Sequence, residues 1–159
     1  MSCSAVAFSA MLWLASSSAV PVQAAPAVAT APPSVAGEPL FADIVRRAAG
    51  LKAQAEAYRA SLGADPAAPA VTLKGAEAFG AKIAELSALD MKGHLALKER
   101  GAVDDLKCIL RGISVDLPEK LAAMTAARTV KDQDLALRDM VYLLNDNVEV
   151  ITAPPQPAA

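Results

Sequence analysis

The chain has 159 residues and a formal charge of −2. That suits one domain, and the charge is too balanced for a surface that tracks a nucleic-acid backbone. Hydrophobic residues make up 54% but aromatic ones only 4%. Alanine supplies much of the apolar content. It is the best helix former and a poor strand former, so packed helices are expected rather than sheets.

No charged side chain occurs before Glu38. Ala5 to Ala15 form an apolar run of 11 residues, followed by Ser16 to Ser18 and then Val22, Gln23 and Ala24. This resembles a secretory signal peptide, in which a short apolar region precedes small residues at the cleavage site. The segment departs from the pattern in carrying no Lys or Arg ahead of the run. Cleavage is expected after Ala24, because the run is well short of the about 20 residues that span a bilayer. The mature chain would then have no transmembrane span. Cys3 and Trp13 would leave with residues 1–24, and Cys108 would be the one remaining cysteine. Residues 25–38, with Pro26, Pro32 and Pro33, read as a flexible Ala/Pro-rich lead. Residues 39–153 read as the bundle domain and 154–159 as a disordered tail. A periplasmic or secreted protein is expected, in a Gram-negative bacterium if periplasmic.

The first helix is expected to start near Pro39, a residue suited to the first turn. Ile44, Ala48, Leu51, Ala55, Tyr58 and Leu62 then recur at spacings of 4 and 3, a heptad seam rich in small residues. Gly63 is the expected stop, and Ala64 to Val71, with Pro66 and Pro69, the loop. The second helix is expected from Thr72, as N-cap, to Gly101, which follows the cationic end of the run Lys98, Glu99 and Arg100. Ala76, Phe79, Ile83, Leu86 and Leu97 share its apolar stripe.

The third element has Asp104 and Asp105 in its first turn and an apolar stripe through Leu106, Leu110, Ile113, Leu117, Leu121 and Met124. Pro118 lies inside it and removes the bond to residue 114. Asp116 and Glu119 offer a restart. The stripe keeps phase, so two collinear pieces or one kinked helix is expected. The fourth helix starts at Thr129, with Asp132 three residues on, and ends before Pro154. Val130, Leu137, Met140, Val141, Leu144, Val148 and Ile151 share a face, with Leu135, Tyr142 and Leu143 beside it. So broad an apolar surface packs two neighbours or meets a partner. Short connections make an all-α, up-down-up-down four-helix bundle the expected fold.

Two residues break the apolar pattern. Asp90 and His94 fall on the second stripe, four apart and therefore adjacent, with Gly93 beside them. Buried polar groups are costly unless paired. The reading is either a satisfied core pair, Asp90 accepting from His94, or half of a ligand, metal or proton-transfer site. The latter needs further inward ligands, and the chain has one histidine. Cys108 lies as far after Gly101 as His94 lies before it, so a hairpin turning there brings them to similar heights. A thiol beside a histidine can be a nucleophile or redox group. Cys108 however points away from the Leu110 stripe, beside Gly112, where an intermolecular disulfide or a buried apolar role are the other readings. Asn145, Asp146, Asn147 and Glu149 read as a solvated helix end.

No Cys-x-x-Cys-His motif for haem attachment occurs. The architecture is similar to that of haem-binding four-helix cytochromes, but only as architecture, since no motif of theirs matches and the last helix has no histidine. Position 91 is Met, so the Glu-x-x-His of carboxylate di-metal bundles is missing. Zinc ligands, a Gly-rich phosphate loop and a Gly-x-Ser-x-Gly elbow are missing too. The sequence thus points to no catalytic residue and no cofactor. It points to a non-enzymatic bundle that binds a protein partner, an envelope component or a small apolar ligand. The alternatives are a ligand or metal binder using Asp90 and His94, and a thiol-dependent dimer or redox protein using Cys108.

Overall fold

The computed structural model describes residues 34–102 and 104–153. The expected signal segment, most of the lead and the tail lie outside them. Four helices run through the described chain: α1 (Pro39–Ala60), α2 (Ala76–Glu99), α3 (Asp104–Ala126) and α4 (Val130–Thr152). Contacts link α1 to α2, α2 to α3, α3 to α4 and α4 back to α1, so the helices form a closed ring with two diagonals. This is the expected four-helix bundle. The α1–α2 flank is the loosest of the four.

The core is made by heptad seams. Phe41, Ile44, Ala48, Leu51, Ala55 and Tyr58 line α1, and Phe79, Ile83, Leu86, Asp90, Gly93 and Leu97 line α2. Leu110, Ile113, Leu117 and Met124 come from α3, and Leu137, Met140, Leu144 and Ile151 from α4. Each fully buried large apolar side chain stabilises by about 1.5–3 kcal/mol. The broad face of α4 meets both α1 and α3, which buries Leu143 but leaves Leu135 and Tyr142 outside.

Several boundaries differ from expectation. Thr72 does not cap α2; the helix opens one turn later, behind Gly75, whose φ of 75° is left-handed. The preceding turn is held from α1: the Tyr58 hydroxyl donates to the Lys74 carbonyl at 2.9 Å, while its ring meets Phe79 edge-on at 5.5 Å. α1 ends at Ala60 with Ser61 as its cap, ahead of Gly63. The far end of α2 is as expected. The amides of Gly101 and Ala102 donate to the Lys98 and Leu97 carbonyls at 3.1 and 3.0 Å, with Gly101 at φ 65°. This paired closure satisfies two carbonyls that the helix cannot.

The lead joins the fold before Pro39. Val35 and Ala36 pack against the core, and Glu38 meets Arg100 at 2.7 Å. Arg100 also lies 5.9 Å from the centre of the Phe41 ring, closing the end where α2 finishes and α1 begins.

At the opposite end the loop after α1 caps α4. The Val130 amide donates to the Ala68 carbonyl at 2.9 Å and the Lys131 amide to the Pro66 carbonyl at 3.0 Å. The Thr129 hydroxyl accepts from the Asp132 amide at 3.1 Å. Three amides left over by the start of the helix are thereby used. Gln133, buried, reaches back to the same loop: it accepts from the Val71 amide at 3.0 Å and donates to the Val71 carbonyl at 2.9 Å.

α3 is one unbroken helix with Pro118 inside it, so Asp116 and Glu119 restart nothing. The proline leaves the Ser114 carbonyl without its helical donor. The Ser87 hydroxyl of α2 supplies one instead, at 2.7 Å. Ser87→Ala is therefore expected to cost about 1 kcal/mol by urea denaturation. In a Pro118→Ala background, where the helix itself serves that carbonyl, the cost should fall close to zero. Equal costs in both backgrounds would show that Ser87 acts in some other way.

Candidate functional site

The polar residues of interest gather where α2 and α4 end. Asp90 sits on the α2 seam between Leu86 and Gly93, and Asn147 on the α4 seam between Leu144 and Ile151. Both are 0% exposed. The Asn147 amide nitrogen donates to Asp90 Oδ2 at 2.8 Å, linking two helices across the bundle rather than around it. Asp90 Oδ1 and Asn147 Oδ1 have no hydrogen-bond partner in the protein. Burial pushes the Asp90 carboxyl up to about 8, against the smaller opposing effect of the Asn147 bond. A carboxyl in such surroundings is held neutral at physiological pH.

This differs from the expected pairing. Asp90 does not take its bond from His94. One turn further along α2, His94 is half-buried and its Nδ1 lies 2.7 Å from the Lys107 carbonyl of α3. The two residues share a stripe but turn to different neighbours, Asp90 to the diagonal helix and His94 to the adjacent one. Asn147 is likewise not part of a solvated helix end. Its neighbour Asn145 is half-buried and accepts from Lys52 Nζ of α1 at 2.7 Å. Asp146 is half-buried, and its carboxyl is raised by that burial and by nearby Glu149.

Cys108 is a free, exposed thiol on the outer side of α3. Among the described residues no group of three or more His, Cys, Asp and Glu side chains is placed to hold a metal ion. No helix there is long and apolar enough to cross a membrane.

Open grooves mark the described surface, two of them between neighbouring helices. The first, about 420 Å³ on the loose α1–α2 flank, is lined by Arg46, Arg47, Gly50, Leu51, Gln54, Lys82 and Glu85. Its charges are largely matched: Arg47 binds Asp43 and Glu85 at 2.9 Å each, and Arg46 also meets Asp43. The hydrogen bond from Arg47 holds the Asp43 carboxyl below its usual range. The second, about 380 Å³ between α3 and α4, is lined by Ala123, Ala126, Ala127 and Ala136, with Leu135 among them and Arg128, Asp132 and Asp139 around them.

The heptad count would have found the residues that apolar periodicity missed. Val130, Gln133, Leu137, Met140, Leu144, Asn147 and Ile151 follow spacings of 3 and 4 without a break, and all are buried. Gln133 and Asn147 occupy seam positions like any leucine. Comparison of the chain with protein-family models, with curated proteins and with solved structures finds no match.

Proposed function

We propose that the protein is an exported, non-enzymatic helical bundle that acts by binding a protein partner on its α3–α4 side. Export rests on the signal-like run before Ala24. The observation that carries the binding surface is the alanine-lined groove beside Leu135. Leu135 is 45% exposed, and Tyr142, seven residues on along the same outer face of α4, is 69% exposed. Alanine walls let an incoming side chain or helix approach closely. An exposed tyrosine offers large contact area at low entropic cost, a property that makes tyrosine frequent at interfaces. Asp139, within contact of Lys120 at 3.7 Å, supplies a polar rim. An envelope component or a small apolar ligand are narrower versions of the same binding role.

A second reading has its own observation. Cys108 and Val115 share the outer face of α3, both exposed, and a Cβ at intervening Gly112 would meet nothing within 4 Å. Such a face suits a disulfide-linked pair of chains.

One experiment addresses both. A photo-crosslinking residue replaces Tyr142, and the protein is irradiated in cells that export it and run on non-reducing gels. A discrete heterologous adduct that is lost in a Leu135→Glu variant supports the first reading. A band of twice the chain mass that disappears with Cys108→Ser supports the second. No adduct, or an adduct indifferent to Leu135→Glu, removes the proposed surface.

A further inference from the structure

We infer that Asp90 and Asn147 form a neutral acid–amide pair, sharing one buried proton between Asp90 Oδ1 and Asn147 Oδ1, and that loss of this proton at alkaline pH weakens the end of the bundle it spans. The protein leaves two buried oxygens of this pair, Asp90 Oδ1 and Asn147 Oδ1, without a donor. Each of them alone, buried, would be costly. A carboxylic acid and a primary amide are complementary head to head: the amide N–H donates to the acid carbonyl, and the acid O–H donates to the amide carbonyl. The first of these bonds is present at 2.8 Å. The second needs only a proton on Asp90 Oδ1, taken from solvent. That single proton removes both orphan acceptors at once. A carboxylate at the same place would have one donor for its two oxygens and would face the amide oxygen with a negative charge.

Among the described residues no charged side chain is bonded to Asp90 or Asn147 beyond the pair itself. One turn beyond Asp90 the neighbours from α1 and α3 are apolar, since a Cβ at Gly93 would meet Phe41, Ile44 and Leu110 at 3.3–3.4 Å; one turn before it the uncharged Ser87 hydroxyl is engaged with the Ser114 carbonyl. Of the charged groups of α1, Asp43, Arg46 and Arg47 are engaged with one another and with Glu85, Lys52 with the Asn145 side-chain oxygen and Arg59 with Asp134, while Glu56 is exposed. On α3, the carbonyls of Lys107 and Arg111 meet His94 Nδ1 and the Ser114 hydroxyl. On α4, Asp146 responds to Glu149. On α2 itself, His94 is turned to Lys107. The Asp90 carboxyl is raised to about 8 with burial as the main cause, and no charged residue enters the balance.

Unfolded, Asp90 titrates near its ordinary value of about 3.9; folded, near 8. The folded state therefore binds the extra proton between these values. The stabilisation is complete below the unfolded value and is lost as pH rises through the folded one. Within that window this group makes the unfolding equilibrium constant rise about tenfold per pH unit.

The test compares the full chain with Asp90→Asn, which keeps the shape and can pair amide to amide but carries no titrating proton. Infrared difference spectra with 13C-labelled aspartate should show a protonated carboxyl band at pH 6 that is absent from Asp90→Asn and fades through about pH 8. Urea stability of the wild type should fall relative to Asp90→Asn from pH 5 to 8 and run parallel to it above pH 9. A carboxylate signature for Asp90 at pH 6, or stability profiles that stay parallel throughout, would overturn the inference. A variant that fails to fold is replaced by Asn147→Asp, in which a second acid shares the proton and the protonated band must persist at pH 6 for the inference to stand.

Discussion

Leu110→Asp is expected to abolish the folded bundle. Leu110 is fully buried on α3, and its Cδ1 stands where α2 narrows to Gly93. Truncating such a leucine to alanine alone costs about 2–5 kcal/mol. Aspartate adds a carboxylate that must enter an apolar layer with no donor to receive it, which costs several kcal/mol more or forces protonation. The sum approaches or exceeds the 5–15 kcal/mol that holds an ordinary domain together. Ile113→Asp, one turn on in the same seam, should behave alike. Far-UV circular dichroism and thermal melting measure the outcome. The matched control is Val115→Asp, on the exposed side of the same helix, which should shift stability by no more than about 0.5 kcal/mol. Wild-type helicity and melting temperature in Leu110→Asp would show that the core face of α3 is wrongly assigned.

Much of this core was legible because a helix that buries one side must repeat its apolar residues, as α1 does throughout and α2 does apart from Asp90 and His94. Phe79, Ile83, Leu86 and Leu97 lie inside as their spacing requires, and Gly101 ends α2 because the positive φ there suits a residue without Cβ. Thr129 caps α4 through its hydroxyl as its position before the apolar run implies. What escaped the sequence was set by partners distant in the chain. Thr72 has the right side chain for a cap, but Leu73 is buried and the Lys74 carbonyl is claimed by Tyr58, which moves the helix start to Gly75. Pro118 would bend or break an isolated helix; here Ser87, 27 residues from Ser114 in sequence, serves the Ser114 carbonyl that the proline frees. At the candidate site, Asp90 was visible as an acid on an apolar stripe, yet its partner was not. The nearest polar neighbour along the helix, His94, was the local answer, whereas Asn147, 57 residues away, is the structural one. Asn147 sits among Asn145, Asp146 and Glu149, so composition disguised it as surface while its heptad position placed it in the core.

That pairing makes a second strong prediction. Asn147→Leu removes the one donor that the protein gives Asp90, and should cost about 1–3 kcal/mol or more, the penalty for stranding a buried acid. Asp90→Leu strands the Asn147 amide and should cost a similar amount. The double variant replaces both groups by apolar side chains, leaves nothing unsatisfied, and is expected to be close to the wild type or more stable, less any strain from fitting the larger leucines. The coupling in the four-protein cycle should then be at least about 2 kcal/mol, well beyond the few tenths expected of independent sites. Additive losses would mean that the two residues do not act as a unit. If the coupling is found, stability is not the reason for a polar pair at this position. A hydrogen bond between diagonal helices fixes their register as a leucine pair does not, because leucines pack almost equally well one turn out of step. The double variant should accordingly keep its helicity and at least near-wild-type stability while its amide NMR spectrum broadens or multiplies, and a single sharp spectrum would leave the proton, rather than the register, as what the pair provides.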